Sequence, residues 1–418
     1  MKYKIHELCE INKNTLSKND NYQFINYLDT SNLTEGTISD LQRLDVNVDR
    51  IPSRAKRIVK EHDILISTVR PNQKHYGIIH KPIENMIAST GFAVITPDKS
   101  KVYPEYLYRF LIQDQITQYL QAVAETSTST YPSIKPSVIG KLEIELPTIK
   151  EQIAVANILA SLDQKIGINN EINKKLEELA QAIFKHWFVD FEFPNENGEP
   201  YKSSGGEMVE SELGMIPKGW KIGSINDLGT IVSGGTPSKK KEEYYTEHGI
   251  PWITPKDLSL NKNRFISRGT IDITEEGLKN SSAKLMPKGT VLFSSRAPIG
   301  YIAIAKNEVS TNQGFKSIIP KNNIGSEFVY QFLKMNKEII ESRASGSTFK
   351  EISGGELKKI PAIIPSNNII YRYNLITIKI SSFIKNNEEE LEKLRTIRDT
   401  LLPKLMSGEI RVPVEEEK

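Results

Sequence analysis

Cysteine is nearly absent. Cys9 is the only one in 418 residues, which excludes a disulfide framework and argues against a zinc site. No apolar run approaches the roughly 20 residues that cross a bilayer. The opening MKYKIHELCEINK lacks the apolar core of a secretory signal, so the expected compartment is the cytoplasm. The histidines, at positions 6, 62, 75, 80, 186 and 248, show no metal-ligand spacing. Catalytic signatures are missing as well. Gly234-Gly235 followed by three lysines does not make a GxxxxGK[ST] phosphate loop. There is no Asn-Pro-Pro-Tyr or Asp-Pro-Pro-Phe run, no Pro-Asp…Glu-x-Lys cluster and no GxSxG elbow. These absences agree: the chain binds and positions, and catalysis belongs to something else.

What is present is a long helical stretch, Pro147 to Pro194. It opens with Thr148 three residues ahead of Glu151, a pair that can satisfy two orphan amide donors reciprocally. Apolar residues follow at Ile158, Leu162, Ile166, Ile172, Leu176, Leu179, Ile183 and Trp187, in the three- and four-residue steps of one helix face. Such a helix has about 38 residues and spans roughly 57 Å. Its seam must be covered. Ile369 to Met406 repeats the pattern with Ile376, Ile380, Ile384, Leu394, Leu401 and Leu405. Adding 218 carries Ile158 to Ile376, Leu162 to Ile380, Ile166 to Ile384, Leu176 to Leu394 and Ile183 to Leu401. The polar break is shared, since Asn169 falls on Asn387, and an Asn repeated inside an apolar seam can fix register. Two matched helices favour an antiparallel coiled coil over each packing only on its nearest domain. Two features argue against regular pairing: Pro403 should kink the second helix, and the run Glu388 to Glu390 interrupts its apolar stripe.

The rest of the chain is duplicated too. Residues 1–147 alternate short apolar runs with turn signals, as a mostly β domain with some helix does. Residues 63–71 and 92–97 read as strands, 106–124 as helix, and 142–146 as a strand before the long helix at 148–194. Residues 195–218 read as a polar linker with no packed element. Residues 219–365 then replay the first domain, followed by the second long helix at 366–410 and a tail at 411–418. LFSSRAP at 292–298 matches LISTVRP at 65–71, with the two arginines one position out of step. Gly314-Phe315 matches Gly91-Phe92, and Ser347-Thr348-Phe349 matches Ser129-Thr130-Tyr131. The fold class is α+β: two similar mixed domains and two long helices in a pseudo-twofold internal repeat.

The overall charge is only +3, but it is unevenly placed. Residues 1–150 hold 19 basic and 17 acidic groups and residues 206–365 hold 22 and 17, a surplus of +7. The helical remainder carries −4. Positive charge sits where a polyanion can be held. The loop Ser233-Gly-Gly-Thr236-Pro-Ser238-Lys239-Lys240-Lys241 precedes a Tyr-Tyr pair and suits phosphate. Taken alone, that lysine run reads first as a solvated charge cluster, and its place in the domain gives it weight.

At this point the chain resembles the specificity subunits of Type I restriction–modification systems over nearly its whole length. The resemblance is carried by LPTIKEQIAVANILASLDQKI at 146–166, AIFKHWFVDFEF at 182–193, ELGMIPKGW at 212–220, SGGTPS at 233–238, LFSSRAPIG at 292–300 and LLPKLMSGEI at 401–410. It implies a DNA-reading subunit with no cofactor of its own. Each domain would read one half of a split, asymmetric target in double-stranded DNA. The helices would set the gap; a pair this long can hold two domains more than one duplex turn, about 34 Å, apart. Implied partners are two methyltransferase subunits and restriction (motor–nuclease) subunits. S-adenosylmethionine, for adenine methylation, and ATP with Mg2+, for cleavage, belong to those partners.

Candidate DNA contacts lie on the loops where the copies diverge. They are Arg70, Asn72, Gln73, Lys74, His75, Thr128, Thr130 and Tyr131 in the first domain. In the second they are Thr236, Ser238, Lys239, Lys240, Lys241, Arg296, Tyr301, Asn312, Gln313, Ser347, Thr348 and Lys350. Arg, Asn and Gln can pair with guanine or adenine edges, while Lys, Ser and Thr mostly hold phosphates. Each could equally cap a turn or face water, and Arg70 and Arg296 could hold their domains together. The other readings are a coiled-coil scaffold without DNA specificity and a self-sufficient methyltransferase or nuclease.

Overall fold

The computed structural model describes residues 1–17, 20–127, 131–296, 298–346 and 350–413. The chain divides into two compact units, residues 1–166 with 393–418, and residues 167–392. The long helices are Ile149–Phe188 and Asn367–Met406, 40 residues each. Both ends of the second fall 218 residues after those of the first. The expected start is present: the Thr148 amide donates to Glu151 at 2.9 Å and the Glu151 amide to Thr148 Oγ1 at 3.3 Å. Pro403 stands inside the second helix without ending it. Only one turn remains beyond it, so a single backbone bond is forgone, and Ser407 N still donates to Pro403 O.

Within each unit the helix segments pair antiparallel. In the first, Val155 and Leu159 share a core with Leu405 and Met406, and Arg398 donates to Asp163 at 3.0 Å. In the second, Ala180 packs on Ile380 and Ile384, and Asn169 donates to Glu390 at 2.7 Å. The seam is narrower than the apolar pattern implies. Fully covered positions step by seven, at Gln152, Leu159 and Ile166, and at Ile370, Thr377, Ile384 and Leu391. That is the 3.5-residue period of a coiled coil. Ile158, Ile172, Leu179 and Ile376, expected in the seam, therefore turn outward, 37%, 42%, 48% and 40% exposed. Each sits one residue ahead of a position on the seven-residue step, at Leu159, Asn173, Ala180 and Thr377. Leu162, Ile166, Leu176, Ile183, Trp187, Ile380, Ile384, Leu394, Leu401 and Leu405 are buried or half-buried. The acidic interruption is also explained. Glu388 accepts the backbone amides of Arg264 and Phe265, Glu389 lies 3.5 Å from Lys306, and Glu390 takes the Asn169 bond.

Both units carry one domain plan. In the first, the strands Cys9–Ile11, Phe92–Pro97, Ile64–Ser67 and Tyr76–Ile78 form an antiparallel sheet in that spatial order. In the second, Gly229–Ser233, Lys316–Pro320, Val291–Ser295 and Ile299–Ala305 do the same, with Phe265–Ile266 added in parallel. A second sheet repeats too. Phe24–Leu28 lies parallel to Met86–Ser89 and antiparallel to Gln42–Asp45. Ile250–Ile253 has the same relation to Ser310–Thr311 and Ile271–Ile273. Strand alternation feeds two cores: Ile64 and Ile66 face the helices, while Leu65 faces the second sheet. The helix expected at 106–124 is two helices, Pro104–Leu111 and Asp114–Glu125. Residues 195–218 are more ordered than a linker. Met208–Ser211 and Gly214–Pro217 form a hairpin with Gly214 at φ +92°. Phe193 stacks on Tyr201 and Trp220, at 4.5 and 5.0 Å between centroids. Phe193 and Trp220 lie outside the polar run, so its composition conceals the packing.

Candidate nucleic-acid interface

In each domain the antiparallel strands bring one set of loops to a common sheet edge. In the first, Ser67 leads through the turn Pro71–Gln73 into Tyr76. Arg70 and Lys74 flank that turn in the left-handed region, at φ +48° and +55°, an uncommon conformation for residues with a Cβ. Several bonds hold it. Arg70 N donates to Pro132 O at 2.9 Å, and Asn72 N donates to Gln121 Oε1 at 3.2 Å. Lys74 is engaged in the scaffold, 3.0 Å from Asp114 and 3.7 Å from Glu35, and these carboxylates hold its ammonium above the usual lysine range. His75 Nδ1 lies 2.8 Å from Leu33 O and 3.0 Å from Thr34 Oγ1. The surface thus shows Arg70, Asn72, Gln73 and Tyr131, with the Arg70 guanidinium 5.0 Å above the Tyr131 ring. Thr128 and Thr130 lie outside the described residues.

In the second domain the SGGTPS loop is clamped at the equivalent edge. A Cβ on Gly234 would overlap the Asn312 carbonyl oxygen, and one on Gly235 the Ala283 amide. Trp252 Nε1 donates to Gly235 O at 2.9 Å, and the Tyr245 hydroxyl donates to Pro237 O at 2.7 Å. Thr236 donates to Gln313. Ser238, Lys239, Lys240 and Lys241 follow on the surface, with Lys241 bonded to the Tyr244 hydroxyl at 2.9 Å. Asn312 is occupied in its own turn, accepting from Gly314 N at 2.8 Å. Tyr301 is half-buried beside the core, and Lys350 is exposed. Ser347 and Thr348 lie outside the described residues.

The two arginines differ as their offset implied. Val69 bridges Ser133 in the first domain, whereas Arg296 bridges Glu351 in the second. Arg296 therefore stands where Val69 stands, one residue before the place of Arg70. Its Nη1 lies 3.5 Å from Glu351, which also meets Lys316 at 3.6 Å. Sequence reasoning passed over Glu351 and Lys316, because an acid on a basic face carries no motif.

A buried ion cluster fixes the second domain to its own helix segments. Arg264 pairs with Glu177 at 2.8 Å and with Glu327, and lies 4.3 Å from the Tyr330 ring. Burial penalises Glu177, yet Arg264 and Lys334 together hold its carboxyl below the usual range. In the first unit Arg109 and Arg398 share Asp163 in the same manner. No periodicity announces these residues; their partners lie far away in sequence.

Comparison with known proteins agrees with this architecture. The family described as "Type I restriction modification DNA specificity domain" matches residues 1–178 and again 217–398. The HindI specificity subunit of Haemophilus influenzae is 31% identical over 415 residues, covering 87% of this chain and 90% of that one. The MjaIX specificity subunit of Methanocaldococcus jannaschii is 42% identical over 193 residues, 46% of this chain and 44% of that one. Among solved structures, a Type-I restriction-modification S subunit from M. genitalium shares the fold. Its TM-score is 0.60 at 17% identity, over 97% of this chain and 96% of that one.

Proposed function

Because this chain belongs to the Type I restriction–modification DNA specificity family, we propose that its two domains each read one half of a split DNA target while its helices fix the gap and dock methyltransferase subunits. One observation carries the reading: the same sheet edge occurs twice, each time presenting a different set of loops. An identical scaffold with divergent edge residues is what reading two unlike half-sites requires. Arg70, Asn72 and Gln73 in the first domain, and Arg296 and Gln313 in the second, supply paired donors and acceptors for base edges. Lys239, Lys240, Lys241 and Lys350 supply phosphate contacts, which position the protein without reading sequence.

Adenine methylation with S-adenosylmethionine, and cleavage driven by ATP with Mg2+, are assigned to the methyltransferase and restriction subunits. The test is reconstitution. The chain combined with its methyltransferase subunits, S-adenosylmethionine and a random DNA library should methylate a two-part motif, and the chain alone should methylate nothing. Equal, motif-free methylation with and without this chain would leave only the coiled-coil scaffold.

A further inference from the structure

The second domain holds a charge cluster that the first lacks. Lys316 is largely sequestered, its side chain 13% exposed, while Arg296 and Glu351 are each 36% exposed. Glu351 joins the two cations, with Oε1 3.6 Å from the more buried Lys316 and Oε2 3.5 Å from Arg296. Backbone pairing keeps them together. Arg296 bridges Glu351, Ser345 exchanges amide bonds with Glu351, and Ile352 N donates to Ser295 O at 3.0 Å. At the matching places the first domain has Val69 and Ser133, bridged in the same way. Ala93 follows Gly91-Phe92 there as Lys316 follows Gly314-Phe315. None of these three is charged, so the fold does not demand the cluster.

A carboxylate on a face that receives a polyanion is repelled by it, and such like-charge placement weakens binding. Glu351 therefore needs a compensating role. It is spared some of that repulsion because Lys316 neutralises it. Its other neighbour is a guanidinium whose planar fork can meet the O6 and N7 acceptors of guanine together. The bond to Glu351 uses Nη1, and the Nε and Nη2 donors form a second edge of the fork. Resting on the DNA-reading function above, we propose that Glu351 is a positioning residue that aims Arg296 at a guanine in the half-site read by the second domain. Lys316 holds Glu351 in place. The second domain thereby fixes by a salt-bridge relay what the first does at Arg70 by backbone conformation and the Tyr131 ring.

The test uses the full chain reconstituted with its methyltransferase subunits, read out as the methylated motif selected from a random library. Glu351→Gln keeps size and hydrogen bonding but removes the charge. It should relax guanine preference at one position of the second half-site by on the order of tenfold. The first half-site, read by the other domain, should stay as in the parent and so reports that folding and assembly are intact. Arg296→Lys keeps the positive charge and loses the paired donors; it should relax the same position and leave the salt dependence of binding unchanged. If Glu351→Gln does not assemble, Arg296→Lys decides, because it leaves the Lys316–Glu351 pair in place. A second half-site unchanged in these variants overturns the proposal, and so does relaxation spread over both half-sites. A parent complex that yields no two-part motif counts instead against the DNA-reading function.

Discussion

Asn169 and Asn387, 218 residues apart, occupy one position of the repeated seam, and each donates across to the opposite helix, to Glu390 at 2.7 Å and to Asn173 at 3.1 Å. The donors are equivalent in the repeat, but the acceptors are not: Glu390 corresponds to Ile172, and Asn173 to Leu391. The two bonds place a polar layer in the middle of an apolar seam. A heptad seam without such a layer can slide by whole heptads, because leucine meets leucine equally well at each step.

Replacing both asparagines with leucine should therefore raise stability and lower uniqueness. The N169L/N387L chain is expected to melt a few degrees higher, since about 1 kcal/mol shifts a domain of this size by about 2–4 °C. Its complex should methylate targets with more than one gap length. A single unchanged gap together with a raised melting temperature would show that register is set elsewhere.

Arg264 is surrounded by Glu177, Glu327 and Glu388 from both helix segments and its own domain. Removing it leaves carboxylates buried without their cation, which typically costs about 3–5 kcal/mol. R264M should lower the denaturation midpoint of the second unit accordingly, while E177Q should cost less because Glu327 still pairs. The measurement is urea unfolding followed by tryptophan fluorescence, for which all three tryptophans, Trp187, Trp220 and Trp252, lie in that unit.

Glu388 gives this cluster a pH signature. Burial pushes its carboxyl up to about 7, against the opposing pull of the Arg264 and Phe265 amides and of Lys306. A carboxyl whose folded pKa is raised favours folding most when protonated. That contribution is complete below about 4.5 and is lost as pH rises toward 7 and beyond. Glu177 has the opposite sign, its lowered pKa giving stability that is lost as pH falls. E388Q should remove the decline in stability between about pH 5 and 8 and leave the acid limb intact. An identical pH profile for parent and variant would contradict this.

Much of this was legible in the chain because repetition is robust to ambiguity at any one position. A constant 218-residue spacing located both helices, and matched segments between them located both domains and the offset between Arg70 and Arg296. What stayed hidden had weak local signals. The outward turn of Ile158 and Ile376 follows from a 3.5-residue period, which apolar residues on both flanks of the seam blurred. The hairpin in residues 195–218 depends on Phe193 and Trp220, which lie beyond the polar run. Lys74 and His75 carry the residue types of a DNA contact, but long-range partners, Asp114 and Leu33, engage them. Charged partners such as Glu351 and Arg264 are defined only by contacts distant in sequence.

The clamp on the SGGTPS loop predicts a strong effect from a very small change. Gly234 packs against Asn312 too closely for a methyl group, so G234A must displace the loop or the turn before Lys316. W252F removes the Trp252–Gly235 bond, a loss of about 1 kcal/mol, together with part of the buried ring's packing against Tyr245. In the reconstituted complex, G234A should abolish selection at the second half-site, W252F should weaken it severalfold, and neither should alter the first. Equal damage to both half-sites would indicate general unfolding instead.

The lysines beyond that clamp test whether the loop meets phosphate at all. Each phosphate neutralised contributes about 0.9 to the slope of log affinity against log salt. Lys239 and Lys240 are exposed, whereas Lys241 is bonded to Tyr244, whose nearby hydroxyl raises its pKa. Substituting all three with glutamine should therefore lower the slope by about 2 to 3, with nearer 2 expected if Lys241 stays on Tyr244. Because phosphate contacts carry no sequence information, the methylated motif should keep its bases while affinity falls across all sequences alike. A changed motif would place these side chains at base edges, and an unchanged slope would remove them from the interface.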